Sequence, residues 1–257
     1  FVFAYALTRS RMPAPLKATF RLIALIPLLA PSLLSAISFV QWFGNQGALK
    51  FLLGGVSIYG PLGIILAEVY NTFPHALMIL TTSLALADGR LYEAATALRT
   101  RPSRQFFTIT LPSAKYGLIS AATVVFTYVV SDFGAPKVIG GNFNVLSVDV
   151  FKQVVGQHNF AIGAVVGLLL LVPSVVSFCI DYVVRRKIKA QLSARSVPYF
   201  PPQRRITDAL LTLFCAVVCG LLLATVGMAI YTSAISLWPY DLSFTLKHYH
   251  FVLVESD

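Results

Sequence analysis

The sequence predicts an all-α, polytopic transmembrane helical bundle, and three observations predict it. The composition is 57% hydrophobic and only 12% charged over 257 residues, where soluble domains carry about 25% charged and 45–50% apolar residues. Five runs are long and apolar enough for an α-helix to cross a hydrocarbon core, which takes about 20 residues. Basic residues crowd into alternate connections between those runs, 16 of the 20 falling there.

The predicted spans are a stub at Phe1–Leu7, then Leu22–Phe43, Ile58–Ala87, Tyr116–Pro136, Phe160–Val184 and Ala209–Leu237. The chain opens without Met and stops abruptly after a seventh residue beyond His250, which predicts a fragment of a longer protein. Pro27 and Pro31 predict a kink in the second run, because each removes a backbone donor. Ile58–Ala87, if straight, would reach about 45 Å. That exceeds a core of about 30 Å, so the run should tilt, break near Pro74 or project from the membrane.

Orientation follows from Lys and Arg. Residues 9–21 hold Arg9, Arg11, Lys17 and Arg21, and 88–115 hold Arg90, Arg99, Arg101, Arg104 and Lys115. Residues 185–208 hold seven more, from Arg185 to Arg205. The positive-inside rule puts these three loops in the cytoplasm. The opposite segments are short and rich in Gly and Asn, with an amphipathic helix expected at Val145–Val155. No basic helix or aromatic-interleaved groove accompanies the net charge of +10, so nucleic acid is not an expected partner; membrane lipid is.

Polar residues inside the runs are the next signal. Glu68, Asn71 and His75 recur at i, i+3, i+7 on one helix face, and Asp132 lies near the external end of the following run. A charge at mid-bilayer costs about 2.5–3.5 kcal/mol on the lenient insertion scale, so these groups face protein or water. They line a solute pathway, or they form an interhelical hydrogen-bonded network; for Asp132, plain contact with water is a third reading. Cys179, Cys215 and Cys219 sit in apolar runs as packing residues, and no metal site is expected. The histidines, His75, His158, His248 and His250, are dispersed, and no catalytic constellation accompanies them.

The connection DGRLYEAATALRTRPSRQFFTITLPSAK is not an ordinary basic loop. Asp88 can cap a helix on which Leu91, Ala94, Ala95 and Leu98 form an apolar stripe. Pro102 suits the first turn of a second helix, Phe106 and Ile109 share a face, and Leu111-Pro112 closes the segment before the next span. Glu93-Ala94-Ala95, with two alanines, gives a low-profile surface that lets another backbone approach closely.

This segment resembles the EAA loop of ABC importer permeases: EAA, three residues, Gly, nine residues, a β-branched residue, one residue, Leu-Pro. Glu93-Ala94-Ala95, Ile109 and Leu111-Pro112 match at those offsets, Leu98 continues the stripe, and Phe106 holds the usual aromatic position. Arg99 stands where the family has Gly, which predicts a gentler bend or a pairing of Arg99 with an acidic residue of the ATPase. The resemblance implies a type I ABC importer permease fold in a bacterial inner membrane. It implies an ABC ATPase subunit dimer that receives the loop as a coupling helix, and a periplasmic solute-binding protein. No cofactor is expected in the chain itself: ATP belongs to the ATPase, and no G-x-x-x-x-G-K-[ST] occurs here.

The expected organisation is a first permease module at 1–184, a cytoplasmic basic linker at 185–208, and the start of a fused second module at 209–257. That layout resembles two-module permeases for ferric iron, thiamine and 2-aminoethylphosphonate. SDFGAPKVIGGNFNVLSVDVFKQVVGQHNF and WPYDLSFTLKHYHF look most like the 2-aminoethylphosphonate branch, with ferric iron (or thiamine or a polyamine) the alternative. From other classes, a membrane-embedded enzyme lacks its constellation, and a passive channel has no use for a coupling-type loop.

Overall fold

The computed structural model describes residues 1–191, 197 and 205–254. Helices dominate it: α1 (Val2–Arg9), α2 (Ala14–Leu25), α3 (Ser32–Phe43), α4 (Pro61–Ala85), α5 (Gly89–Ala97), α6 (Pro102–Gln105) and α7 (Leu111–Ser131). Then follow α8 (Gly134–Ile139), α9 (Leu146–Phe151), α10 (Phe160–Gln191), α11 (Arg205–Ser233) and α12 (Lys247–Val254). The all-α expectation holds, with one small addition. β1 (Ile235–Leu237) pairs antiparallel with β2 (Asp241–Phe244) in a bulged hairpin.

Among the described residues, four helical runs are long and apolar enough to cross a membrane: Pro61–Ala85, Pro102–Ser131, Phe160–Val184 and Arg205–Ser233. A fifth crossing follows if the bent pair Ala14–Leu29 and Ser32–Phe43 is counted as one. The Leu22–Phe43 run is therefore not one kinked helix. A 3₁₀ turn at Ile26–Leu29 ends its first part, and α3 restarts after a sharp bend with Pro31 as its N-cap. Two prolines four residues apart leave too few donors to carry an α-helix through.

Other boundaries shift for local reasons. Residues 58–60 precede α4, with Gly60 at φ 113°, and α4 then passes through a buried Pro74 without breaking. The third predicted span starts earlier and ends at Ser131, while Pro136 belongs to the separate α8. Leu111-Pro112 does not close the preceding segment. A π-turn at Phe106–Thr110 makes the bond from Leu111 N–H to the Phe106 carbonyl, and the helix runs on past Pro112. At the far end the helix stops at Ser233, and Leu237 lies in β1. The helix expected at Val145–Val155 is present as α9 and the π-turn Lys152–Gly156.

The chain divides into two compact units. The first comprises Phe1–Leu25, Thr72–Ser131 and Val165–Cys219. Its core gathers Phe3, Ala6 and Leu7 of α1 with Leu77, Leu80 and Leu84 of α4, and Tyr92, Ala95, Ala114 and Ala121. Small residues set the helix spacing there, as packing in a membrane requires where lipid offers no hydrophobic drive between helices. The second comprises Ile26–Asn71, Asp132–Ala164 and Gly220–Asp257. Its core joins Ala36, Ile58, Ile64, Ala67, Ala135 and Ile139. Of the basic linker, Arg195 and Arg204 lie outside the described residues.

Candidate functional site

In the first unit the segment around Glu93 is a short, capped helix. The Asp88 carboxylate accepts from Arg90 N–H at 3.1 Å, satisfying one of the orphan donors of the first turn. Val197 adds to that end: its carbonyl accepts from Gly89 N–H at 2.9 Å, and its own N–H reaches Asp88 at 3.4 Å. At the other end Thr100 N–H bonds to the Ala95 carbonyl and Arg99 N–H to that of Thr96, both at 2.9 Å. That pair of bonds is a Schellman C-cap, whose C′ residue takes the left-handed conformation. The C′ residue is Arg99, at φ 53°.

The expectation of a gentler bend is thereby corrected. The helix turns off as sharply as glycine would allow, with the arginine backbone forced into the left-handed region because two hydrogen bonds define the cap. The expected stripe is also redrawn. Gly89, Tyr92 and Ala95 are buried, whereas Leu91 and Ala94 are exposed and Leu98 is 80% exposed. Glu93 and Arg99 are exposed beside them, and Phe107 follows on the next turn. One face of α5 holds the helix down, and the other presents Leu91, Ala94 and Leu98 without a cover.

The buried face is held by chemistry that the sequence reading missed. Tyr92 donates its hydroxyl to Thr110 Oγ1 at 3.0 Å, and the Arg9 guanidinium stands 4.6 Å from the centre of the Tyr92 ring. Phe106 packs edge-on against Phe1 and Tyr5, with ring centres 5.9 and 5.8 Å apart. Ile109 and Leu111 are half-buried, and Pro112 is exposed. Arg9 counts in the sequence only as a topology charge; its position directly after an apolar run is the one available hint. Tyr92, three residues before Ala95, was legible as part of a packed face at helical spacing.

In the second unit the polar residues of α4 meet partners from α3 and from the start of α8. Asp132 takes Ser32 Oγ on one carboxylate oxygen at 2.6 Å and Ala135 N–H on the other at 2.9 Å, while its carbonyl accepts from Ser147 Oγ at 2.6 Å. Ser35, fully buried, lies 2.9 Å from Asn71 Oδ1 and 2.7 Å from the Ser32 carbonyl. Glu68 of α4 is only 4% exposed. Thus Asn71 and Asp132 are brought into one network through Ser32 and Ser35, with Glu68 buried one turn before Asn71 on α4. Asp132 is half-buried and bonded on both carboxylate oxygens, capping the start of α8. His75 is not among these partners: its ring lies 4.2 Å from that of Tyr128 in the first unit. No group of three or more His, Cys, Asp or Glu able to hold a metal occurs among the described residues.

Comparison with known proteins gives this geometry its context. The family model described as "Binding-protein-dependent transport system inner membrane component" matches residues 1–190. A putative ferric transport system permease protein FbpB 1 of Haemophilus influenzae is 26% identical over 191 residues, covering 71% of this chain and 30% of that protein. A ferric transport system permease protein FbpB of Actinobacillus pleuropneumoniae is 24% identical and covers 97% of this chain and 38% of its own length. A molybdenum transport system permease protein ModB of Azotobacter vinelandii is 28% identical over 73% of this chain and 84% of its own. The chain therefore spans about a third of the length of the two ferric relatives. With a family match along residues 1–190 of 257 and several membrane-length helices, the chain belongs to the family of binding-protein-dependent transport system inner membrane components, and it is a multi-pass inner-membrane protein.

Proposed function

We propose that the chain is the permease part of a binding-protein-dependent ABC importer, coupling ATP hydrolysis on a separate subunit to solute uptake. The observation that carries this reading is α5: a capped helix, seated by Tyr92 and Ala95, that leaves Leu91, Ala94 and Leu98 exposed. An uncovered apolar face on a connection rich in Arg is what an ATPase groove would take. Glu93, Ala94, Ala95, Leu98, Arg99, Phe106, Ile109, Leu111 and Pro112 form the coupling segment in this reading. The connections 9–21, 88–115 and 185–208 then face the cytoplasm.

The remaining partners follow from the same reading. The ATPase dimer binds ATP, so the permease needs no cofactor of its own. A periplasmic binding protein delivers the solute, and a fused second module, begun by α11, completes the pore. For transport to be driven, ATP and loaded binding protein must favour the outward-facing state over the inward one. In this reading Asn71 and Asp132, linked through Ser32 and Ser35, and the buried Glu68 supply a polar lining toward the pathway, and His75 with Tyr128 a separate ring contact.

For the solute we propose 2-aminoethylphosphonate, on the resemblance of residues 131–160 and 238–251. Ferric iron is the second reading, favoured by the two relatives named for ferric transport, one of them aligned over 97% of the chain. ATPase stimulation in proteoliposomes tests both, using the full-length permease, its ATPase and binding protein loaded with either solute. Stimulation by one solute, reduced at least tenfold in Glu93→Ala, is the expected result. Stimulation by neither removes both solutes, and full stimulation in Glu93→Ala removes Glu93 from the coupling contact.

A further inference from the structure

The face of α5 opposite its exposed leucine stripe rests on a buried cation that joins the ends of α1 and α4 to the middle of α5. Arg9, the last residue of α1, is 8% exposed. Its Nη2 donates to the Leu84 carbonyl at 2.7 Å. Leu84 lies in the final turn of α4, where carbonyls have no i+4 partner within the helix, and its carbonyl also accepts from Ala87 N–H at 3.3 Å. A cation at this spot is doubly favoured, by a charge-assisted hydrogen bond and by the negative end of the helix dipole. The same guanidinium faces the Tyr92 ring of α5 at 4.6 Å, and the Tyr92 hydroxyl continues to Thr110, itself 2% exposed, at the foot of α7.

The ends of α1 and α4, the middle of α5 and the start of α7 thus share one chain of contacts. Each contact is short and directional, and each is buried, where water competes least and a lost partner costs most. Displacing α5 along its axis would pull the Tyr92 ring from the cation and the hydroxyl from Thr110. Such a joint resists sliding and carries force.

We propose that Arg9 is a positioning residue for energy coupling, transmitting displacement of α5 to the ends of α1 and α4. The proposal rests on the permease reading above. Arg9 lies on the buried side of α5, away from the face offered to the ATPase. Its loss should therefore spare docking and impair transmission.

The test is the number of ATP molecules hydrolysed per solute imported, measured in proteoliposomes with full-length permease, its ATPase and binding protein loaded with ferric iron or 2-aminoethylphosphonate. A merely destabilising substitution lowers both rates together and leaves this ratio alone. Arg9→Gln is expected to retain the ATPase through purification within twofold of wild type while raising the ratio at least fivefold. Arg9→Lys, which keeps a cation for both contacts, should lie between the two. Should Arg9→Gln fail to accumulate, Tyr92→Leu removes the ring and hydroxyl with no change of charge, and a threefold rise is expected. A ratio within twofold of wild type in these variants overturns the proposal alone. A wild-type permease that retains no ATPase overturns the permease reading and this proposal together.

Discussion

Gly117 of α7 lies so close to Ser83 of α4 that a Cβ added at Gly117 would stand 2.3 Å from both Cβ and Oγ of Ser83. The short Ser83 side chain has nowhere to retreat, so the two helices would have to part. Gly117→Ala should cost about 1–3 kcal/mol, the range for overpacking. Ser83→Gly in the same protein should recover most of it, a coupling visible in a double-mutant cycle of thermal melts in detergent. Additive losses would mean that these two residues do not set the helix spacing.

Arg99 carries a left-handed backbone at the C-cap of α5. Arg99→Gly should stabilise the protein by about 1 kcal/mol, since the left-handed region costs a residue with a Cβ about 1–2 kcal/mol and glycine gives part of that back as chain entropy. A melting temperature unchanged or lower in Arg99→Gly would show that the arginine side chain contributes more than its backbone costs.

Tyr92→Phe keeps the ring beside Arg9 but strands Thr110, which is buried. The expected loss is about 1 kcal/mol, the net worth of a typical hydrogen bond. Thr110→Val in the Tyr92→Phe background should then cost little more, because the bond is already gone. Chemical denaturation of the detergent-solubilised protein reads both.

Asp132 anchors Ser32 and Ala135 through separate carboxylate oxygens. Asp132→Ala should destabilise by about 2–3 kcal/mol by removing charge-assisted bonds, and Asp132→Asn by less. If Asp132 serves only as this anchor, Asp132→Asn will leave the solute KM within twofold of wild type. A KM shift of tenfold or more without loss of melting temperature would place Asp132 on the pathway instead.

Leu98 is 80% exposed and packs on nothing that its removal would unsettle. Leu98→Glu should leave the melting temperature within about 1 °C, since exposed substitutions usually stay within about 0.5 kcal/mol. Retention of the ATPase should fall at least tenfold in pull-down. Undiminished retention would remove the α5 face from the docking surface.

What was legible in the sequence was whatever depends on local composition. Asp88 caps α5 because its carboxylate is two residues from a free N–H, and Pro102 opens α6 because its fixed φ suits a first turn. Pro27 and Pro31 announced trouble in their run, though not that the helix would stop and restart. The stripe Leu91, Ala94, Ala95, Leu98 was visible by spacing, yet spacing alone does not tell a residue that packs inward, as Ala95 does, from those left open. The left-handed turn at Arg99 ran against the residue's own preference, since two cap hydrogen bonds outweigh the strain of one backbone angle.

By itself, then, the sequence determined the solvent, the approximate spans and the motif-bearing segment, because apolar run length, charge placement and residue spacing act within a few turns of helix. Only the tertiary structure decided which polar residues meet: that Asp132 is bonded to Ser32, that Tyr92 rather than Leu91 holds α5 down, and that Arg9 serves the end of α4. Those pairings join residues up to 100 positions apart. A buried polar group takes whichever partner packing brings within reach, and chain spacing carries no record of that choice.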